Sequence, residues 1–212
     1  MTHNITKEEY LQNPCGVCST AFWKNEVFIK PEHIDILHEK ELGDSAGEST
    51  KYFRLYHDLR EVAPGTLPPG LCYQKADYKT DADDICRIIN SCYSGMSLQP
   101  AGVGTWAQYP VYDPELWLFI IDTDTGEKLA LGIADYDKDI EEISLEWIQV
   151  LPEQRGRGLG TSLVNELLAR GRTENAFATV SGETDNGTRP ERLYRRCGFT
   201  GQDIWHVVSR LT

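Results

Sequence analysis

The longest unbroken apolar run, Leu116-Trp117-Leu118-Phe119-Ile120-Ile121, predicts a buried strand. The polar stretch 122–127 turns the chain, so residues 128–136 return as its hairpin partner. Residues 143–151 mix β-branched and aromatic positions with single polar ones, and Pro152 stops that strand by removing a backbone donor. After a glycine-rich loop, Leu159, Leu163, Val164, Leu167 and Leu168 recur at helical spacing. Asp81 opens another helix, whose apolar stripe is Ala82, Ile85, Cys86, Ile89, Cys92 and Tyr93. Further strands are expected at 71–76, 176–181 and 204–209, a helix at 188–197, and an irregular segment at 91–108.

The first third of the chain has weaker patterning. Pro31 followed by Glu32-His33-Ile34-Asp35-Ile36-Leu37 resembles a helix opening, with proline in its first turn. Residues 42–50 have the composition of a loop, and the alternation within 51–59 predicts a strand. Pro64-Gly65 and Pro68-Pro69-Gly70 then interrupt the pattern, which divides the chain into an N-terminal extension, 1–68, and a main domain, 69–212.

Composition narrows the class. At 212 residues, 40% hydrophobic and 25% charged, the chain fits one large domain or a core with an appendage. No stretch approaches the ~20 apolar residues of a spanning helix, and the N-terminus has no hydrophobic export run. The expectation is a cytoplasmic protein without a membrane partner. A formal charge of −12 argues against nucleic acid while permitting a cationic substrate. Residues 154–196 depart from that balance, with eight arginines against five acids. Six cysteines, at 15, 18, 72, 86, 92 and 197, are expected as free thiols. Cys15 and Cys18 have metal-ligand spacing, and His33, His38 or His57 could complete a zinc site, yet no second C-x-x-C follows. Buried small hydrophobes are the better reading, and no metal is expected.

Candidate chemistry concentrates in Gln154-Arg155-Gly156-Arg157-Gly158-Leu159-Gly160-Thr161. Three glycines at alternate positions let backbone N–H groups converge, and the helix that follows presents its positive end to an anion. A Walker loop would need a lysine where Gly160 is followed by Thr161-Ser162. A dinucleotide fingerprint would need a glycine where Leu163 stands.

The remaining pattern, Arg155-x-x-Gly158-x-Gly160 directly after Val150-Leu151-Pro152, resembles the acyl-coenzyme A loop of the GNAT superfamily of N-acetyltransferases. A second motif agrees: Asn186, then Leu193-Tyr194 in a helix, then Gly198-Phe199. The asparagine-to-tyrosine gap is one residue longer than the family's spacing. The order of elements over about 70–212 is also similar, and the whole chain resembles an uncharacterised bacterial GNAT group. The resemblance implies an α/β (α+β) GNAT acyl-CoA acyltransferase fold, with a mixed, mostly antiparallel sheet flanked by helices.

It also implies direct attack of a primary amine on acetyl-coenzyme A in a ternary complex, without an enzyme nucleophile. Strand alternation puts Glu142, Ser144, Glu146, Ile148 and Val150 on one face and Ile143, Leu145, Trp147 and Gln149 on the other. A carboxylate amid such a strand is costly unless paired or used, so Glu146 is the candidate base, with Glu142 and Glu183 in reserve. A structural salt bridge is the competing role for Glu146. Tyr194 matches the family's tyrosine, which protonates the departing thiolate. Gln149, Val150, Arg155, Gly156, Arg157, Gly158, Leu159, Gly160, Thr161 and Asn186 are the expected coenzyme A contacts. Trp106, Tyr109, Trp117 and Trp147 could line an acceptor site, although core packing is the simpler role for most of them. The acceptor would be a small-molecule or protein amine, and the chain could form a homodimer. The alternative function is a non-catalytic acyl-coenzyme A sensor.

Overall fold

The computed structural model describes residues 5–27, 30–42, 49–93 and 95–209. In chain order its helices are α1 (Lys7–Gln12), α2 (Pro14–Val17), α3 (Lys24–Val27), α4 (Ala82–Cys92), α5 (Pro100–Trp106), α6 (Leu159–Gly171) and α7 (Pro190–Arg196). Its strands are β1 (Ile34–His38), β2 (Ser49–His57), β3 (Leu71–Lys75), β4 (Trp117–Asp122), β5 (Lys128–Asp137), β6 (Glu142–Val150), β7 (Phe177–Glu183) and β8 (Thr200–Ser209). Packing divides the chain into two compact units, one of Met1–Asp58 with Phe177–Thr212 and one of Leu59–Ala176.

The first unit joins both ends of the chain. Its strands run in the order β1-β8-β2-β7, and each ladder is antiparallel. Tyr10 of α1, Phe53 and Leu55 of β2, and Ala178 and Val180 of β7 are buried. A polar bridge crosses this core: the buried Arg54 guanidinium donates to Tyr10 Oη at 2.8 Å, Thr179 Oγ1 at 3.2 Å and Ser181 Oγ at 3.0 Å. Three donated bonds offset much of the cost of taking that cation out of water. Trp205 of β8 donates its indole N–H to the Cys15 carbonyl at 2.8 Å.

The second unit has strand order β6-β5-β4-β3, again antiparallel throughout. One face carries α4 and α5, where Ile85, Ile88, Ile89 and Val103 pack with Trp117, Phe119, Leu131 and Ile133. The other face carries α6. There Gly132 lets the helix approach so closely that a Cβ would lie 3.0 Å from Leu167 and 3.1 Å from Leu163.

Three expectations change. Residues 34–38 form strand β1 rather than a helix, because Ile34 and Ile36 take up a ladder with β8, pairing with Ser209 and Val207. Helix propensity over so short a stretch is a weak term beside five residues of ladder. Residues 91–108 contain a helix, α5, opened by Pro100 in its first turn and anchored by the fully buried Val103. Finally, the strict alternation along β6 breaks. The register passes from Ile133 opposite Trp147 to Ala134 opposite Leu145, leaving Glu146 as the extra residue of a β-bulge. Ile143 therefore faces α6, next to Gly171, whereas Trp147 packs on the α4 and α5 side. The loop expected at 42–50 lies largely outside the described residues.

Candidate functional site

The second unit holds the strand–loop–helix passage whole. β6 ends at Val150, a short 3-10 turn (Pro152–Gln154) follows, and α6 begins at Leu159. Gly158 is the helix N-cap at φ 81°, and Gly156 is also left-handed at φ 80°. L side chains adopt that region at a cost, so glycine is the residue that lets the loop curl without strain. Gly158 offers no side chain to cap the first turn of α6, and around both glycines a Cβ would meet nothing within 4 Å. The loop is thus an open cradle before a helix N-terminus, with Arg155 and Arg157 exposed beside it. Leu159, Leu163, Val164, Leu167 and Leu168 are all buried and hold the helix in place.

Arg155 folds back on the strand end. Its Nε donates to the Val150 carbonyl at 3.2 Å, and the Cys92 thiol donates to the same oxygen at 3.5 Å. Burial pushes the Cys92 thiol up, with Arg155 pulling it the other way. Arg157 donates to the Gln154 side-chain carbonyl. Gln149 donates through Nε2 to Tyr93 Oη at 3.0 Å. Tyr93 stands edge-on to Trp147, 6.0 Å between centroids, and Trp147 stacks on Trp106 at 5.5 Å and 21°. Glu146 and Trp147 are adjacent at the bulge, and both are half-buried. So the loop, the strand end and an aromatic wall from α4 and α5 occur in one compact unit.

The first unit carries the remaining sequence candidates. Tyr194 sits on α7, buried, with its ring 6.1 Å from Phe53 and 5.8 Å from Phe199. Asn186 lies in the turn before α7, where its Oδ1 accepts from the Thr188 amide at 2.9 Å and hydroxyl at 2.7 Å. Beneath α7, His57 packs edge-on to Phe199 at 5.2 Å, and burial lowers its pKa. Among the described residues no cluster of three or more His, Cys, Asp or Glu side chains could hold a metal ion. Cys18 donates instead to Asn25 Oδ1 at 3.4 Å. No helix among the described residues is long and apolar enough to cross a membrane.

Comparison with known proteins gives a domain match and a shared fold. The sequence model of the acetyltransferase (GNAT) domain matches residues 114–201, from the turn before β4 to the start of β8. That match spans less than half of the chain. A GCN5-like protein acetyltransferase of Mycobacterium tuberculosis is 40% identical over 53 residues, 25% of this chain and 26% of that protein. Among solved structures, a GCN5-related N-acetyltransferase from Sphaerobacter thermophilus superposes with TM-score 0.66 at 18% identity, covering 76% of this chain and 51% of that one. A GNAT-family acetyltransferase from Colwellia psychrerythraea gives 0.61 at 14% identity over 82% of this chain and 64% of its own. The fold is the GNAT fold. The chain spans about half the length of the Sphaerobacter structure, and the curated relative is matched over about a quarter of its length.

Sequence reasoning missed two features of this unit. The Glu146 bulge has no local signal, since it is a property of pairing with β5. Tyr93 and Cys92 reach Gln149 and Val150 from the last turn of α4, and their only sequence signal was their place at the end of the apolar stripe. Trp117 is fully buried core, in line with the buried strand read from the apolar run 116–121.

Proposed function

We propose that the chain transfers an acetyl group from acetyl-coenzyme A to a primary amine within a ternary complex. The observation that carries this reading is the open, uncapped N-terminus of α6 behind Gly156 and Gly158, flanked by exposed Arg155 and Arg157. Such a cradle fits a pyrophosphate, and the GNAT assignment supports acyl transfer in general. Backbone groups at 156–161 hold the phosphates, and those near Gln149, Val150 and Leu151 meet the pantetheine arm. The coenzyme supplies an activated thioester and a thiolate leaving group. Glu146, at the bulge, takes the proton from the ammonium form of the acceptor. Bulges re-aim side chains beside active sites, which supports that role. Tyr194 donates its phenolic proton to the departing sulfur, and Asn186 is a further contact with coenzyme A.

Detection of coenzyme A release across a panel of small amines and peptide N-termini tests the reading, with release above the amine-free rate expected for at least one acceptor. Binding of acetyl-coenzyme A with no release for any amine would favour an acyl-coenzyme A sensor instead. With an acceptor in hand, Glu146→Gln is expected to lower kcat by about 100-fold or more and to remove the acidic limb of the pH–rate profile. An unchanged profile would exclude Glu146 as the base. Tyr194→Phe is expected to retain KM and lose about 100-fold in kcat, and full turnover would exclude the tyrosine as the acid.

A further inference from the structure

Segment 60–70, rich in proline and glycine, runs beside α6 and is tied to both of its ends. At the far end, Arg172 donates through a guanidinium N–H to the Arg60 carbonyl at 2.9 Å. At the near end, the Ser162 hydroxyl donates to the Thr66 carbonyl and lies 3.3 Å from the Gly158 carbonyl. That Gly158 oxygen also accepts the Ser162 amide at 3.1 Å. Tyr73, in the middle of β3, donates its hydroxyl to the Ser162 carbonyl at 3.0 Å. Burial, with Glu166 nearby, pushes the Tyr73 phenol up to about 12, so it stays a donor throughout the neutral range.

Gly65 sits against this knot. A Cβ there would lie 2.1 Å from the Ser162 carbonyl oxygen and 2.1 Å from Tyr73 Oη, so glycine is what permits the approach. Ser162 therefore links Thr66, Tyr73 and Gly158 through its own hydroxyl, carbonyl and amide. Gly158 is the residue whose left-handed geometry aims the loop.

We propose that residues 60–70 act as a strap that fixes the first turn of α6, with Gly65, Tyr73 and Ser162 as positioning residues for coenzyme A binding. The proposal rests on the acetyl-coenzyme A reading above. None of the three residues need touch the coenzyme. They limit the conformations open to the loop, so that its N–H groups converge before the ligand arrives rather than at its expense.

Calorimetric titration of coenzyme A into the 212-residue chain tests this, alongside acetyl-transfer kinetics and a thermal melt for each variant. Gly65→Ala is expected to weaken binding about tenfold, and Ser162→Ala and Tyr73→Phe about threefold each. In all three the KM for acetyl-coenzyme A should rise in proportion, while kcat at saturation stays within about twofold, a split that general loss of structure would not produce. Should Gly65→Ala fail to fold, the two milder variants decide the matter. Folded Ser162→Ala and Tyr73→Phe proteins with wild-type affinity would overturn the strap and leave the acetyl-coenzyme A reading intact. A fall in kcat at unchanged KM would overturn it equally. A wild-type chain that binds no coenzyme A would instead overturn the reading beneath it.

Discussion

Two passages from strand to helix, one in each compact unit, solve the same problem differently. β6 leads through residues 151–158 into α6, and β7 leads through 184–189 into α7. Both helices begin after a left-handed N-cap that supplies no side-chain hydrogen bond, Gly158 at φ 81° and Arg189 at φ 55°. The first uses glycine and leaves open space around it. The second is closed by its own side chains, since Asn186 Oδ1 takes both the amide and the hydroxyl of Thr188 and the Asn186 carbonyl takes the Arg189 amide. The first loop leaves the opening turn of its helix without a side-chain cap. The second loop consumes polar groups of Asn186 locally.

The sharpest way to break that contrast is to give the first loop a side chain. Gly158→Val places a β-branched residue at φ 81° and should weaken coenzyme A binding by about tenfold or more, with a stability loss of about 1–2 kcal/mol. Wild-type affinity by titration would mean that the cradle is not the phosphate site. In the second loop Asn186→Ala should cost about 1 kcal/mol in denaturant unfolding by removing the turn's acceptor. Its effect on coenzyme A affinity discriminates between two roles, because a loss beyond about threefold would make Asn186 a ligand contact as well as a turn former. Smallest of all, Arg189→Gly relieves a non-glycine residue at φ 55° and should raise the melting midpoint by a few degrees, equivalent to roughly 1 kcal/mol or less. A lower midpoint would show that the arginine side chain contributes more than its backbone costs.

What could be read along the chain follows from the range of the forces involved. The passage β6–loop–α6 was legible because its signals are local: Pro152 ends a strand, glycines admit left-handed φ, and leucines every three or four residues mark a buried stripe. The same holds for the β4–β5 hairpin. Residues 34–38 misled because proline followed by polar and apolar residues reads as a helix start. Only β8, more than 160 residues downstream, supplies the ladder that makes them a strand. Helix α5 was hidden by Gly102 and Gly104, which lower helix propensity, although burial of Val103 outweighs them.

Sequence by itself determined the fold class and the strand–glycine loop–helix passage, and it nominated Glu146 and Tyr194, because each depends on residue types at short spacings. Tertiary structure alone decided that both chain ends share one unit, that Glu146 occupies a bulge, and that Tyr73, Gly65 and Ser162 meet on α6. Those features arise from pairing and close approach between distant segments. A register slip of one residue or a contact closer than a methyl group leaves no trace in local composition.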